Sequence, residues 1–196
     1  MTAVATKPRR AALQAPVGAR ADSGAEAACS AVTLPPEAAL GRLPLKLGVP
    51  MSRCQVEVIE LGASGLTRAQ IGRRLGVSGP TVTRYLARAA ALLGAGNPAG
   101  LTGAAYRVGL LVRRPLPPSV RVPTVTDRCA AVLPLLARGR SNAQIGHTLG
   151  VTASAVNMRV RYLMRVFGAV NRASLVRAVI DAGILSTDLE LIGAAP

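Results

Sequence analysis

Apolar residues recur every three to four positions through residues 52–111, and the same rhythm returns through 126–185. Laid over each other with Ser52 on Thr126 and Leu111 on Leu185, a shift of 74 residues, the two runs align without a gap. Val58, Leu61, Ala63, Ile71, Leu75, Val77 and Val82 meet Val132, Leu135, Ala137, Ile145, Leu149, Val151 and Val156. Glycines match as well: Gly65, Gly72, Gly76, Gly94 and Gly109 fall on Gly139, Gly146, Gly150, Gly168 and Gly183. A repeat of this length is one folding unit copied, so its elements need be derived only once.

The period of three to four predicts helices. Ser52 caps a helix running to Ala63 and halted near Gly65; Thr67 caps a second ending at Leu75 and Gly76; Ser78 caps a third that reaches Leu93 before Gly94. Asn97 with Pro98 opens a fourth, since proline suits the first helical turn. The second run predicts helices over 127–137, 142–149, 153–167 and 172–182, capped by Thr126, Ser141, Thr152 and Asn171. Pro134 falls inside the first of these, where a proline costs about 3 kcal/mol and predicts a kink. In the first run Gly100 and Gly103 sit inside helix four, each about 1 kcal/mol poorer than alanine. No strand is required, and the expected fold class is all-α.

Only Gly76-Val77-Ser78 and Gly150-Val151-Thr152 separate helices two and three of each run. A helix, a three-residue turn beginning with glycine and a longer helix form a helix-turn-helix, whose second helix lies in the major groove of DNA. The third helix divides into faces at about 100° per residue. In the second run Val156, Val160, Leu163 and Phe167 share the core face, while Ser154, Met158, Arg161 and Arg165 lie opposite, with Asn157 at the edge. Arginine there suits guanine edges or phosphates, and asparagine suits adenine. In the first run Val82, Leu86, Ala89 and Leu93 repeat the core spacing. The opposite face holds Pro80, Arg84, Ala87 and Ala91, flanked by Thr83 and Arg88, with few base-specific donors. Arg68 and Asn142, at the starts of the second helices, are candidate phosphate contacts, because backbone amides point outward at helix N-termini. The second run is therefore expected to read sequence and the first to add affinity. The bland alternative for either arginine face is a solvated surface.

Charge supports the same partner. The 196-residue chain carries 24 Lys and Arg against 9 Asp and Glu, a net +15, and both runs and their connection are basic. That excess points to a polyanion, nucleic acid before an acidic membrane surface. Only Lys7 and Lys46 of the basic residues are lysines, a bias that GC-rich coding also produces. No stretch approaches the ~18 apolar residues that span a bilayer, and the AALQAPVGARA after Arg9-Arg10 is too broken for an export signal. A cytoplasmic, nucleoid-associated protein without membrane contact is expected. Cys29, Cys54 and Cys129 are odd in number and sit at non-equivalent positions, implying neither a disulfide framework nor a metal site. His147, the lone histidine, stands where the first run has Arg73 and reads as a helix-surface side chain. GAGNPA at 94–99 follows a helix and not a strand, which excludes a dinucleotide fingerprint. No nucleophile, general acid–base set or cofactor site assembles, so no catalytic residue, no metal and no enzymatic activity are expected.

The second run, VTDRCAAVLPLLARGRSNAQIGHTLGVTASAVNMRVRYLMRVFGAVNRASLVRAVIDAGIL, closely resembles the LuxR/GerE-type DNA-binding domain of bacterial transcription regulators. The first run is similar but further from that family. The resemblance implies that Asn157, Met158 and Arg161 meet bases and that helix four dimerises such domains. Val176 and Ile180 would then pack on Thr102 and Tyr106 within the chain, or on another chain, or simply complete each local core. The family's acidic residue in helix one is present as Glu57 but replaced by Ala131 in the second run.

The organisation expected is two tandem four-helix domains of the LuxR C-terminal, winged-helix-like type, at 49–111 (degenerate) and 125–186. An Ala/Pro-rich basic arm at 1–48 is expected to be disordered, and 187–196 forms a tail. The connection VRRPLPPSVRVPT at 112–124 reads as an extended spacer of about 40 Å at ~3.1 Å per residue. That would set two units about one DNA turn apart, ~34 Å. The function implied is a transcription regulator on double-stranded DNA acting as an intramolecular pseudo-dimer or a homodimer. Two alternatives stay open: a sigma-factor-like regulator with RNA polymerase as partner, and a protein-interaction module that reads no DNA sequence.

Overall fold

The computed structural model describes residues 31–32, 51–117 and 119–192; the arm expected at 1–48 lies outside these apart from Ala31 and Val32. The first run folds into α1 (Arg53–Ala63), α2 (Arg68–Leu75), α3 (Gly79–Leu93) and α4 (Pro98–Arg107). The second gives α5 (Asp127–Ala130), α6 (Val132–Ala137), α7 (Asn142–Leu149), α8 (Ala153–Val166) and α9 (Arg172–Asp181). Local chemistry sets these ends. The side chains of Ser52, Thr67, Ser78, Asn97, Ser141, Thr152 and Asn171 each accept a hydrogen bond from a backbone amide three residues on. Gly76, Gly94 and Gly150 close their helices in the left-handed conformation that favours glycine.

Four expectations need correction. Helix one of the second run is broken at Ala131, because Pro134 has no N–H to offer the carbonyl of Ala130 four residues back. Thr126 stands at the N-cap position without a side-chain bond. A strand pair does occur: β1 (Ala31–Val32) runs antiparallel to β2 (Met51–Ser52), Ala31 opposite Ser52 and Val32 opposite Met51. Cys54 takes part in a disulfide, where none was expected; Cys129 keeps a free thiol.

The two runs do not bury separate cores. One apolar cluster takes Ile59, Ala89, Leu93 and Leu101 from the first together with Leu133, Leu136, Val160, Leu163 and Ile180 from the second. A smaller cluster of Val58, Ile71, Val82 and Tyr85 belongs to the first run alone. Between the runs, α4 lies along α9, α4 also meets α6, and α9 meets α1. Thr102, Tyr106, Val176 and Ile180 are all buried, on the two helices, α4 and α9, that lie against each other.

The seam contacts come in reciprocal pairs. Asn97 Nδ2 donates to the Gly139 carbonyl at 2.6 Å, and the residue 74 positions on, Asn171, donates from Nδ2 to the Gly65 carbonyl at 3.4 Å. Both acceptors are left-handed glycines, φ +79° and +92°. A methyl on Gly100 would lie 2.8 Å from the Cα of Gly139, and one on Gly103 would overlap the carbonyl oxygen of Ala137. The glycines that weaken α4 are thus the ones that let another backbone touch it, and close approach outweighs propensity. The equivalent of Gly103 is Arg177, which donates from Nη1 to the Glu60 carbonyl at 3.3 Å and to Ser64 Oγ at 2.6 Å.

Behind the seam Tyr106 donates its hydroxyl to Asp181 Oδ1 at 3.3 Å, and Asp181 also accepts the backbone N–H of Arg114 at 2.9 Å. Arg177 Nε lies 3.4 Å from Asp181 Oδ2. Burial of the phenol, reinforced by the carboxylate of Asp181, pushes the Tyr106 pKa up to about 12, although Arg177 and Arg114 pull the other way. The connection between the runs is drawn into this network. Arg114 pairs with Glu60, Arg113 lies against Gly183, and Leu116, Val120 and Pro123 border α9 residues Ser174 and Arg177. It folds back over the seam instead of standing away as a spacer. After α9, Leu185 bridges Leu191, and Leu189, at φ +64°, is buried in the shared cluster.

Candidate nucleic-acid interface

The turn Gly150-Val151-Thr152 is short because its closing contacts are backbone to backbone. The Val151 N–H donates to the Gly146 carbonyl at 2.9 Å, and a methyl on Gly146 would stand 2.5 Å from the Val151 oxygen. Gly72 repeats this against Val77, at 2.7 Å. The close approach fixes the angle at which α8 leaves α7 and α3 leaves α2. Val156, Val160 and Leu163 then anchor α8 inward. Phe167, expected on the same buried face, is only half-buried, because it is the C-cap residue where the helix has ended.

The outward face of α8 carries Ser154, Asn157, Met158, Arg161 and Arg165, all exposed. Met158 is 69% exposed and adds an apolar surface between the polar side chains of this face. Asn142, half-buried at the start of α7, reaches this face: its Nδ2 lies 3.5 Å from Asn157 Oδ1. That joins the first turn of α7 to the exposed face of α8. One participant was not foreseen. Tyr162, one turn beyond Met158, has the Arg165 guanidinium 5.9 Å from its ring centroid, which braces that cation over an aromatic plane. The i, i+3 spacing of Tyr162 and Arg165 was the available signal.

The corresponding surface of the first run is plainer. Pro80, Thr83, Arg84, Ala87, Arg88 and Ala91 are exposed along α3, and Arg68 is exposed at the start of α2. Thr83 turns its hydroxyl back to the Gly79 carbonyl at 3.1 Å, which removes it as a free donor. Leu86, expected in the core, is half-buried, while Tyr85, which the apolar pattern passed over, is buried. His147 is exposed in the last turn of α7. No helix among the described residues is long and apolar enough to cross a membrane.

Residues 123–179 match the family model of bacterial regulatory proteins, luxR family. The transcriptional regulatory protein MctR of Rhizobium johnstonii is 36% identical over 62 residues, which are 32% of this chain and 29% of that protein. The chain thus matches under a third of that relative's length. No solved structure matches. Residues 123–179 are accordingly a LuxR-type helix-turn-helix domain, and α7 and α8 are its two crossing helices.

Proposed function

We propose that the chain is a DNA-binding transcription regulator, without enzymatic activity, in which α8 enters the major groove and reads sequence. The observation that supports this is the exposed row Ser154, Asn157, Met158, Arg161 and Arg165 on the second helix of a LuxR-type domain. Arg161 is assigned to a guanine edge, Asn157 to an adenine, and Arg165 and the first turn of α7 at Asn142 to phosphates. The first run acts as a second, degenerate helix-turn-helix. Arg68, Arg84 and Arg88 hold the backbone of the neighbouring DNA, with Thr83 as an adjacent, weaker contact. The reciprocal seam makes the chain its own pseudo-dimer, working in the cytoplasm on the nucleoid.

Binding sites selected from random DNA test this reading. Wild type should enrich one motif. Arg161→Ala should lose discrimination at one base pair by about 1–3 kcal/mol, whereas Arg88→Ala should weaken all sequences alike and flatten the salt dependence. An unenriched pool from wild type, or an unchanged motif and affinity from Arg161→Ala, would reject the assignment of α8 as reader.

A further inference from the structure

A cleft of about 900 Å³ opens at the seam, walled on the first-run side by apolar residues such as Ile59, Leu86, Ala90 and Leu101. Its size comes from asymmetry between the runs. Gly62 and Ala90 border it, where the equivalent second-run positions hold Leu136, fully buried, and Met164, packed on the shared core. The second run fills the space that the first leaves open, and the volume lies within the ~300–1,000 Å³ of small-molecule sites.

The mouth of this cleft is electropositive. The N-termini of α2, α4, α7 and α9 all line it, at Arg68, Pro98, Asn142 and Arg172, and bring the positive ends of four helix dipoles to it, although a side-chain cap already takes one amide of each. Arg68 and Arg172 add two guanidinium groups, and no Asp or Glu is found among the described lining residues.

From an apolar wall ending beside two arginines with no facing carboxylate, we infer that the cleft binds a small amphipathic acid, an aliphatic or aromatic body bearing a carboxylate. The body lies against Ile59, Leu86 and Leu101, and the carboxylate sits at Arg172 and the helix starts. Because Arg68, Thr83 and Asn142 line the same cleft, the bound acid occupies ground assigned above to DNA phosphates and weakens DNA binding. That coupling rests on the proposed DNA-binding function; occupancy of the cleft does not.

Fluorescence titration of the full chain with cis-parinaric acid tests occupancy without DNA. One saturable site is expected, displaced by decanoate at least about tenfold more effectively than by decanol. The double variant Gly62→Leu/Ala90→Met, which rebuilds the second run's filling, should lose the site. A Cβ at position 62 meets nothing within 4 Å, and this variant should melt at or above the wild-type temperature. Arg172→Gln should weaken decanoate several-fold and leave decanol unmoved. No saturable site in wild type, or equal binding by the double variant, overturns the location; equal displacement by decanol overturns the acid. Decanoate should then lower the DNA affinity of wild type but not of Gly62→Leu/Ala90→Met. Loss of this last effect alone removes the coupling, and a chain that binds parinarate but no DNA removes the proposed function while leaving the cleft.

Discussion

Tyr106 carries the clearest chemical signature of the seam. Its folded pKa, about 12, lies above the ~10 of an unfolded chain, so the stabilisation is fully present below pH ~10 and is lost as pH rises from ~10 towards ~12. That rise corresponds to an upper bound of about 2–3 kcal/mol. Denaturant midpoints measured across that window should fall steeply for wild type and hardly at all for Tyr106→Phe, which keeps the ring and leaves Asp181 with the Arg114 amide and Arg177. Parallel slopes would show that the phenol does not titrate against folding. Nothing local announces this role. Tyr85, Tyr106 and Tyr162 are alike in the sequence, yet one is in a local core, one is tied across the seam and one braces an arginine at the surface. The exposed row on α8 was legible because it follows from helical periodicity and residue type alone; Leu86 and Phe167 were misjudged because half-burial depends on neighbours that periodicity cannot supply.

At the level of elements, helix starts could be read almost residue by residue, since Ser, Thr and Asn caps act within three residues. The break at Ala131 was legible as a kink for the same reason, a missing N–H at Pro134. The glycines were legible only in part. Gly146 sits in the interior of α7, and propensity alone predicts that alanine there stabilises by about 1 kcal/mol. The Val151 oxygen, 2.5 Å from the added methyl, reverses the sign. Gly146→Ala should cost about 1–3 kcal/mol by overpacking, read as a lowered thermal midpoint together with weakened DNA binding. A stabilised variant would mean that the turn yields and that α8 is not held by this contact.

For the whole molecule, sequence suggested two beads on a stiff string, and the structure joins them over a common core. The signal was present in Asn97 and Gly139, but a 42-residue separation makes it invisible to any periodic or capping rule. A shared core predicts one cooperative unfolding transition, with calorimetric and van't Hoff enthalpies equal. Gly103→Leu, which drives a side chain into the Ala137 carbonyl, should separate that transition into two. Two transitions already in wild type would contradict the shared core.

The reciprocal seam has a consequence for the target itself. A homodimer carries the same reading helix twice and must obey mass action, so it favours palindromes and dissociates on dilution. Here both sides of the contact belong to one chain, and α3 and α8 present different faces. Under the proposed pseudo-dimer function, occupancy should therefore be independent of an assembly equilibrium, and the operator it selects should be directional, with one informative half and one that records little beyond shape.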